Sequence, residues 1–216
     1  KMSDPSELSA SDARSLIGRK ELSPTELLEA CIDRIEELNP KINAIVATDF
    51  ARARIEAKDA EKAVMAGSAL PPLHGLPIGI KDLNATQGLR TTWGSKLFEN
   101  YVPIEDEALV GRMRAAGGII VAKTNTPEFG SGTATDNLVY GPTRNPFNLE
   151  HTSGGSSGGS AAALATNMLP LCHGSDTGGS LRNPATWCGV VGFRSTPGLI
   201  PRENRTINYT HFNVQG

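Results

Sequence analysis

From Ser23 onward, Leu28, Cys31, Ile35 and Leu38 recur at helical spacing, while Asp33, Arg34, Glu36 and Glu37 fall mostly elsewhere. This pattern predicts an amphipathic helix that packs on one face. Ser23-Pro24-Thr25-Glu26 supplies its start: a capping serine, a proline suited to the first turn and a glutamate that completes a capping box. Asn39-Pro40 is expected to end it, because proline lacks the amide a continuing helix needs. A second helix is predicted from about Phe50 to Ala66, rich in Ala, Lys, Arg and Glu, with Gly67 placed to terminate it and its charges forming a solvated face. The character changes at Leu73. Short apolar runs at 78–80, 119–122 and 169–172 alternate with predicted helices near 107–116 and 160–167, which points to an α/β domain with a mixed sheet covered by helices. Residues 1–70 read as a helical segment packed on the core formed by 71–216, with no internal repeat and no linker.

Composition narrows the class without naming a chemistry. Of 216 residues, 38% are hydrophobic and 20% charged, an ordinary balance for a domain able to bury a sizeable core. A net charge of −2 from 21 basic and 23 acidic residues mixed along the chain gives no footprint for nucleic acid or an anionic membrane. No apolar stretch is long enough to span a bilayer, and a cytoplasmic location is the expectation. Cys31, Cys172 and Cys188 lack the spacing of a disulfide framework or a zinc site and are expected to be buried thiols.

Two glycine-rich segments carry candidate chemistry. Gly154-Gly155-Ser156-Ser157-Gly158-Gly159-Ser160 opens onto a run of helix formers. Three readings compete: a flexible linker, a phosphate cradle that lacks the P-loop lysine, or a loop that places Ser156 or Ser157 in a cleft beside a second reactive group. Gly174-Ser175-Asp176-Thr177-Gly178-Gly179-Ser180-Leu181-Arg182 repeats the pattern. The consecutive amides of Thr177, Gly178, Gly179 and Ser180 could converge on an oxyanion, with Ser180 as nucleophile. The alternative is a tight turn in which Asp176 caps a following helix and Ser180 fills space.

A nucleophilic serine needs a base, ordinarily a histidine held by a carboxylate. Of His74, His151, His173 and His211, only His173 lies near both glycine loops in sequence, and a core or supporting role suits it better. Lysine offers another route: in Pro77-Ile78-Gly79-Ile80-Lys81-Asp82, Lys81 ends an apolar strand, where burial would disfavour its charged form and make it a usable base. A strand-end lysine taken alone is usually a surface residue.

Together these motifs resemble the amidase signature family. Gly79-Ile80-Lys81-Asp82 is similar to its lysine motif, Ala122-Lys123-Thr124-Asn125 to a strand end, Gly154 to Ser160 to its relay loop and Asp176 to Arg182 to its nucleophile loop, in order and at family spacing. The resemblance implies a mixed sheet wrapped by helices, 71–216 as the catalytic part, and a triad of Lys81, Ser156 and Ser180 with a cis peptide bond before Ser156. Ser156 is preferred to Ser157 because the family's relay is the first serine of the pair. Asp176 and Arg182 are expected to brace the nucleophile loop, and Asn125 to support it from behind. Phe193-Arg194-Ser195-Thr196 departs from the Lys-Pro-Thr common there.

The implied activity is hydrolysis of a linear amide through an acyl-enzyme on Ser180, with no metal or organic cofactor. Two alternatives stand beside it: the glutaminase subunit of a tRNA-dependent amidotransferase complex, and a non-catalytic piece or binding module. Family members are about twice this length, so a C-terminal remainder, on the same polypeptide or a second chain, is expected to complete the substrate pocket. The expected partners are a small-molecule amide, that remainder and, compatibly, further copies of the chain, without membrane or direct nucleic-acid binding.

Overall fold

In the computed structural model of the protein, which describes residues 4–200 and 212–216, capping serines start the first two helices. Ser9 accepts from the Asp12 amide ahead of α1 (Ala10–Gly18). Ser23 and Glu26 form the reciprocal capping box of α2 (Pro24–Ile42). Helix α2 runs through Pro40 rather than stopping there. Its end is set by Asn43, which takes the left-handed conformation (φ 56°) and bonds its amide to the Asn39 carbonyl at 2.8 Å. The Asn39 side chain then accepts from the Ala44 and Ile45 amides at 2.9 and 2.8 Å, turning the chain directly into a strand.

That strand, β1 (Ile45–Thr48), is followed by α3 (Phe50–Met65), β2 (Pro77–Lys81), α4 (Ala108–Ala115) and β3 (Ile119–Thr124). Next come a hairpin of β4 (Arg144–Asn145) and β5 (Asn148–Thr152), α5 (Gly158–Ala165) and β6 (Leu171–Cys172). The last described elements are β7 (Ser175–Asp176), α6 (Arg182–Cys188) and β8 (Val214–Gln215), with β7 and β8 paired antiparallel. The main sheet has the order β1-β3-β2-β6; β2 is parallel to both neighbours, and β1 is antiparallel to β3. The sheet is therefore mixed and wrapped by helices. Because β2 and β3 are buried at every position, they read in sequence as unbroken apolar runs. The strands β1, β4, β5, β7 and β8 and the helices α1 and α6 had no such pattern to reveal them.

Register decides what each face of the sheet carries. A shift between Ile78 and Gly79 leaves Ile80 opposite Lys123 and Lys81 opposite Thr124. Paired residues share a face and successive ones alternate, so the two lysines point to opposite sides. The Lys81 side meets the larger core, built from residues such as Ile17, Leu28, Cys31, Ala53, Ala162 and Leu169. On the other side Ile78, Ile80 and Ile120 pack on Leu89 and Val110. Among the described residues no helix is long and apolar enough to cross a membrane.

Helix α5 lies hard against the end of β3. A Cβ on Gly159 would collide with the Asn125 backbone and lie 2.8 Å from the Ala44 carbonyl oxygen. Replacement by alanine forces α5 off the sheet. We expect Gly159→Ala to destabilise the protein by about 1–3 kcal/mol, read as a fall of several degrees in the thermal midpoint.

Candidate active site

Lys81 is completely buried at the end of β2. Its Nζ lies 2.7 Å from Ser156 Oγ, 2.9 Å from Ser157 Oγ and 3.1 Å from Ser175 Oγ. Burial pushes its ammonium down to about 7, against a smaller upward pull from Asp176. A lysine held there is partly an amine at neutral pH, with a lone pair available to take a proton.

The two loop serines differ in what their protons can do. Ser157 Oγ donates to the Ser175 carbonyl (3.2 Å) and accepts from the Ser175 amide (3.3 Å), so its proton is committed to the backbone. Ser157 also borders a separate apolar cavity with Leu164, Leu171 and Leu181. Ser156 has Lys81 as its partner among the described residues and opens on the same cavity as Ser180. Of the two loop serines, Ser156 is thus the one that connects Lys81 to that cavity, which Ser175 also lines. The Gly155–Ser156 peptide bond is cis, as the resemblance implies. Gly155 is needed there because a Cβ would lie 2.9 Å from the Gly132 carbonyl oxygen.

The two glycine loops meet where the Ser157 amide donates to the Ser180 carbonyl at 3.1 Å. Among the described residues no side chain bonds the Ser180 hydroxyl, which is left to the cavity. Asp176 organises this turn. Its buried carboxylate accepts from the amides of Gly179 (2.8 Å), Leu181 (3.1 Å) and Arg182 (3.4 Å) and from the Arg182 side chain at 3.0 and 3.1 Å. Burial opposes its ionisation, but the Arg182 bonds and the three amides outweigh burial and hold it well below the usual carboxylate range. Here the structure departs from the expected oxyanion nest: the Gly179 amide is already taken by Asp176. The amides of Thr177, Gly178 and Ser180 have no bond among the described residues.

Asn125 is buried behind the site. Its side chain donates to Gly141 O and Thr143 Oγ1 at 3.0 Å each and accepts from Asn137 Nδ2 at 2.8 Å, tying the connection after β3 to the approach to the relay loop.

Several residues assembled here carried no assigned role in the sequence. Ser175 supplies the third hydroxyl on Lys81. Arg194, in the stretch that departs from the family pattern, donates to the carbonyl (2.6 Å) and carboxylate (3.0 Å) of Asp176. On the other face of the sheet, buried Lys123 bonds the Asn84 carbonyl and Thr86 Oγ1, with Asp82 4.0 Å away, and burial pushes it down to about 8. Asp82 in turn accepts from the amide and hydroxyl of Thr92. Together they hold the connection that brings Leu83, Asn84 and Trp93 to the cavity wall.

The cavity, about 520 Å³, joins these polar groups to an aromatic wall of Trp93, Tyr101 and Phe129. Trp93 and Phe129 are both in the left-handed region (φ 51°), and the Phe129 amide donates to the Trp93 carbonyl at 2.7 Å. Trp93 stacks on Tyr101 at 5.4 Å. His173 is buried, and burial pushes its imidazolium down to about 3. It touches Gln215 rather than any of the serines in the cavity.

A family model described as Amidase matches residues 26–216. A glutamyl-tRNA(Gln) amidotransferase subunit of Roseiflexus castenholzii is 47% identical over 196 residues, covering 91% of this chain and 40% of the relative. An acylamidase of Rhodococcus erythropolis is 46% identical over 195 residues, covering 90% and 41%. The crystal structure of a bacterial aryl acylamidase of the amidase signature family matches with a TM-score of 0.90 at 35% identity, over 97% of this chain and 44% of that one. The chain thus spans about two-fifths of the length of the curated relatives it matches.

Burial of Lys81 links the site to stability. Above about 7 the folded protein holds Lys81 as an amine, whereas the unfolded chain keeps its proton up to about 10.5. The unfolded state binds more protons in that window, so the wild type gains stability as pH rises through it. Below it the buried charge carries its full cost. We expect Lys81→Met to be more stable than wild type near pH 6, with the difference narrowing toward pH 10 in denaturant titrations.

Proposed function

The chain belongs to the amidase family, and on that premise we propose that it carries the catalytic machinery of a hydrolase acting on linear amides through an acyl-enzyme on Ser180. The observation that supports this reading most is the 2.7 Å contact between Ser156, whose proton has no backbone acceptor among the described residues, and a lysine whose burial favours the amine.

In the proposed reaction Lys81 takes the proton of Ser156 as Ser156 takes that of Ser180. The Ser180 oxygen attacks the amide carbon, and the carbonyl electrons move onto its oxygen, facing the free amides of Thr177, Gly178 and Ser180. Such contacts often tighten only when substrate is present. Collapse of the adduct breaks the C–N bond, and the proton returns from Lys81 through Ser156 to the departing amine or ammonia. Water then enters, loses a proton along the same path, attacks the acyl carbon and releases the carboxylic acid and Ser180. Asp176, with Arg182 and Arg194 on it, keeps the nucleophile turn rigid, and Asn125 braces the relay loop.

The aromatic wall of Trp93, Tyr101 and Phe129 suits an amide with an apolar or aryl substituent, the kind of compound a free-standing amidase would take. The second reading, a glutaminase component that works within an amidotransferase complex, draws on the 47% identity to an amidotransferase subunit. Turnover of simple aryl amides by the isolated full-length protein supports the first; activity on glutamine only alongside partner subunits supports the second. On either reading the rest of the polypeptide or a partner chain completes the pocket, and the protein acts in the cytoplasm.

Two outcomes test the chemistry. Ser180→Ala should lower kcat by at least about 1,000-fold, and turnover equal to wild type would refute the assignment. The kcat/KM profile should show an acid limb near pH 7, where Lys81 gains its proton and can no longer act as base. That limb should be absent from the residual activity of Lys81→Ala.

A further inference from the structure

We propose that Gln215 donates a hydrogen bond from its side-chain amide to the carbonyl oxygen of the substrate, and that His173 is the positioning residue that turns this amide toward the cavity. The inference rests on the hydrolase reading above and adds a residue to it.

Gln215 sits on β8 directly opposite Ser175, one of the three hydroxyls on Lys81. It is buried, yet it lines the cavity with Ser156 and Ser180. Its backbone is fixed on both sides. The Gln215 carbonyl accepts from Ser195 Oγ at 2.7 Å, and the next residue, Gly216, exchanges bonds with Gly174 at 2.7 and 3.0 Å. The side-chain oxygen faces His173 Nε2 at 2.6 Å. The side-chain nitrogen has no partner among the described residues and is not among their sealed, unpaired polar atoms, so it is open to the cavity.

Which atom of Gln215 faces the cavity depends on the proton of His173. Burial keeps this imidazole neutral, and the charges of Lys81 and Lys123 act in the same direction. Its Nδ1 is sealed from solvent and unpartnered. If Nδ1 carried the proton, it would be a buried N–H without an acceptor, and Gln215 would turn its nitrogen to His173 and its oxygen to the cavity. With the proton on Nε2, His173 donates to Gln215 Oε1, and Nδ1 keeps only an unused lone pair. Orphaned buried N–H groups are the rarer and costlier defect, so the second arrangement holds. It presents an NH2 donor to the cavity that Ser180 also lines. A neutral donor matches the carbonyl oxygen that Ser180 activates, and the site has room for one because the Gly179 amide is spent on Asp176.

The test uses the full-length protein with an aryl amide substrate. Gln215→Leu should lower kcat/KM by about 10- to 100-fold. The isosteric Gln215→Glu should be no better than Gln215→Leu, since a carboxylate offers lone pairs where a donor is needed. If Gln215→Leu does not fold, Gln215→Glu carries the test alone. His173→Phe should lose as much as Gln215→Leu, and the double variant no more than either, because both changes remove one interaction. Activity within twofold of wild type in either Gln215 variant overturns the donor role, and additive losses overturn the positioning role of His173. Nitrogen-15 NMR of the wild-type protein gives a reading independent of any variant: a proton on His173 Nε2 is expected, and one on Nδ1 overturns the arrangement. Sulfonyl fluoride labelling of wild-type Ser180 checks the hydrolase reading separately; without it that reading fails whatever Gln215 does.

Discussion

Lys81 Nζ, enclosed by the hydroxyls of Ser156, Ser157 and Ser175 and shut off from water, is the contact on which the rest of the site depends. A buried ammonium is unfavourable, and three hydroxyls can solvate either the ammonium or the amine without forcing one of them. Asp176 lies close enough to pull Lys81 back toward its charged form. Its own charge, however, is already met by Arg182, Arg194 and three backbone amides. Divided in this way, the carboxylate is a brace for the nucleophile turn more than a counter-ion for the lysine.

The sheet makes this possible by keeping its two buried lysines apart. Lys81 and Lys123 stand on neighbouring parallel strands, and the shifted register sends them to opposite faces. Lys123 faces Asp82 and the carbonyl of Asn84, so its charge has local partners, and it secures the connection behind the cavity wall. Lys81 has neutral partners only. The same residue type is thereby paired with a carboxylate on one face and with hydroxyls alone on the other.

The relay loop and the nucleophile turn are joined by a few backbone contacts, chiefly Ser157 to Ser180 and Ser157 to Ser175. These contacts use the second serine of the pair as a strut and leave the first bonded to Lys81 alone among the described residues. At Gly155 and Gly159 the space a side chain would need is occupied by neighbouring backbone, whereas Gly179 stands in open space and is set by its positive φ of 118°.

Much of the fold was legible in local pattern. Apolar runs marked β2 and β3 because strands covered on both faces have few polar positions, a shorter run marked the half-buried edge strand β6, and signals at Ser23 and Gly67 bounded two helices. Pro40 misled because Asn43, three residues on, sets the stop. Two-residue strands such as β7 and β8 carry too little pattern to be read and form only because their partners are brought to them. For the site, the motifs nominated Lys81, Ser156 and Ser180. They could not say that Ser157 gives its proton to a carbonyl, that Gly179 is spent on Asp176, that Arg194 bonds Asp176, or that Gln215 meets His173. Motifs report which groups are present along the chain. Proton direction, burial and the commitment of each donor are set by neighbours distant in sequence, and only the tertiary structure supplies those neighbours.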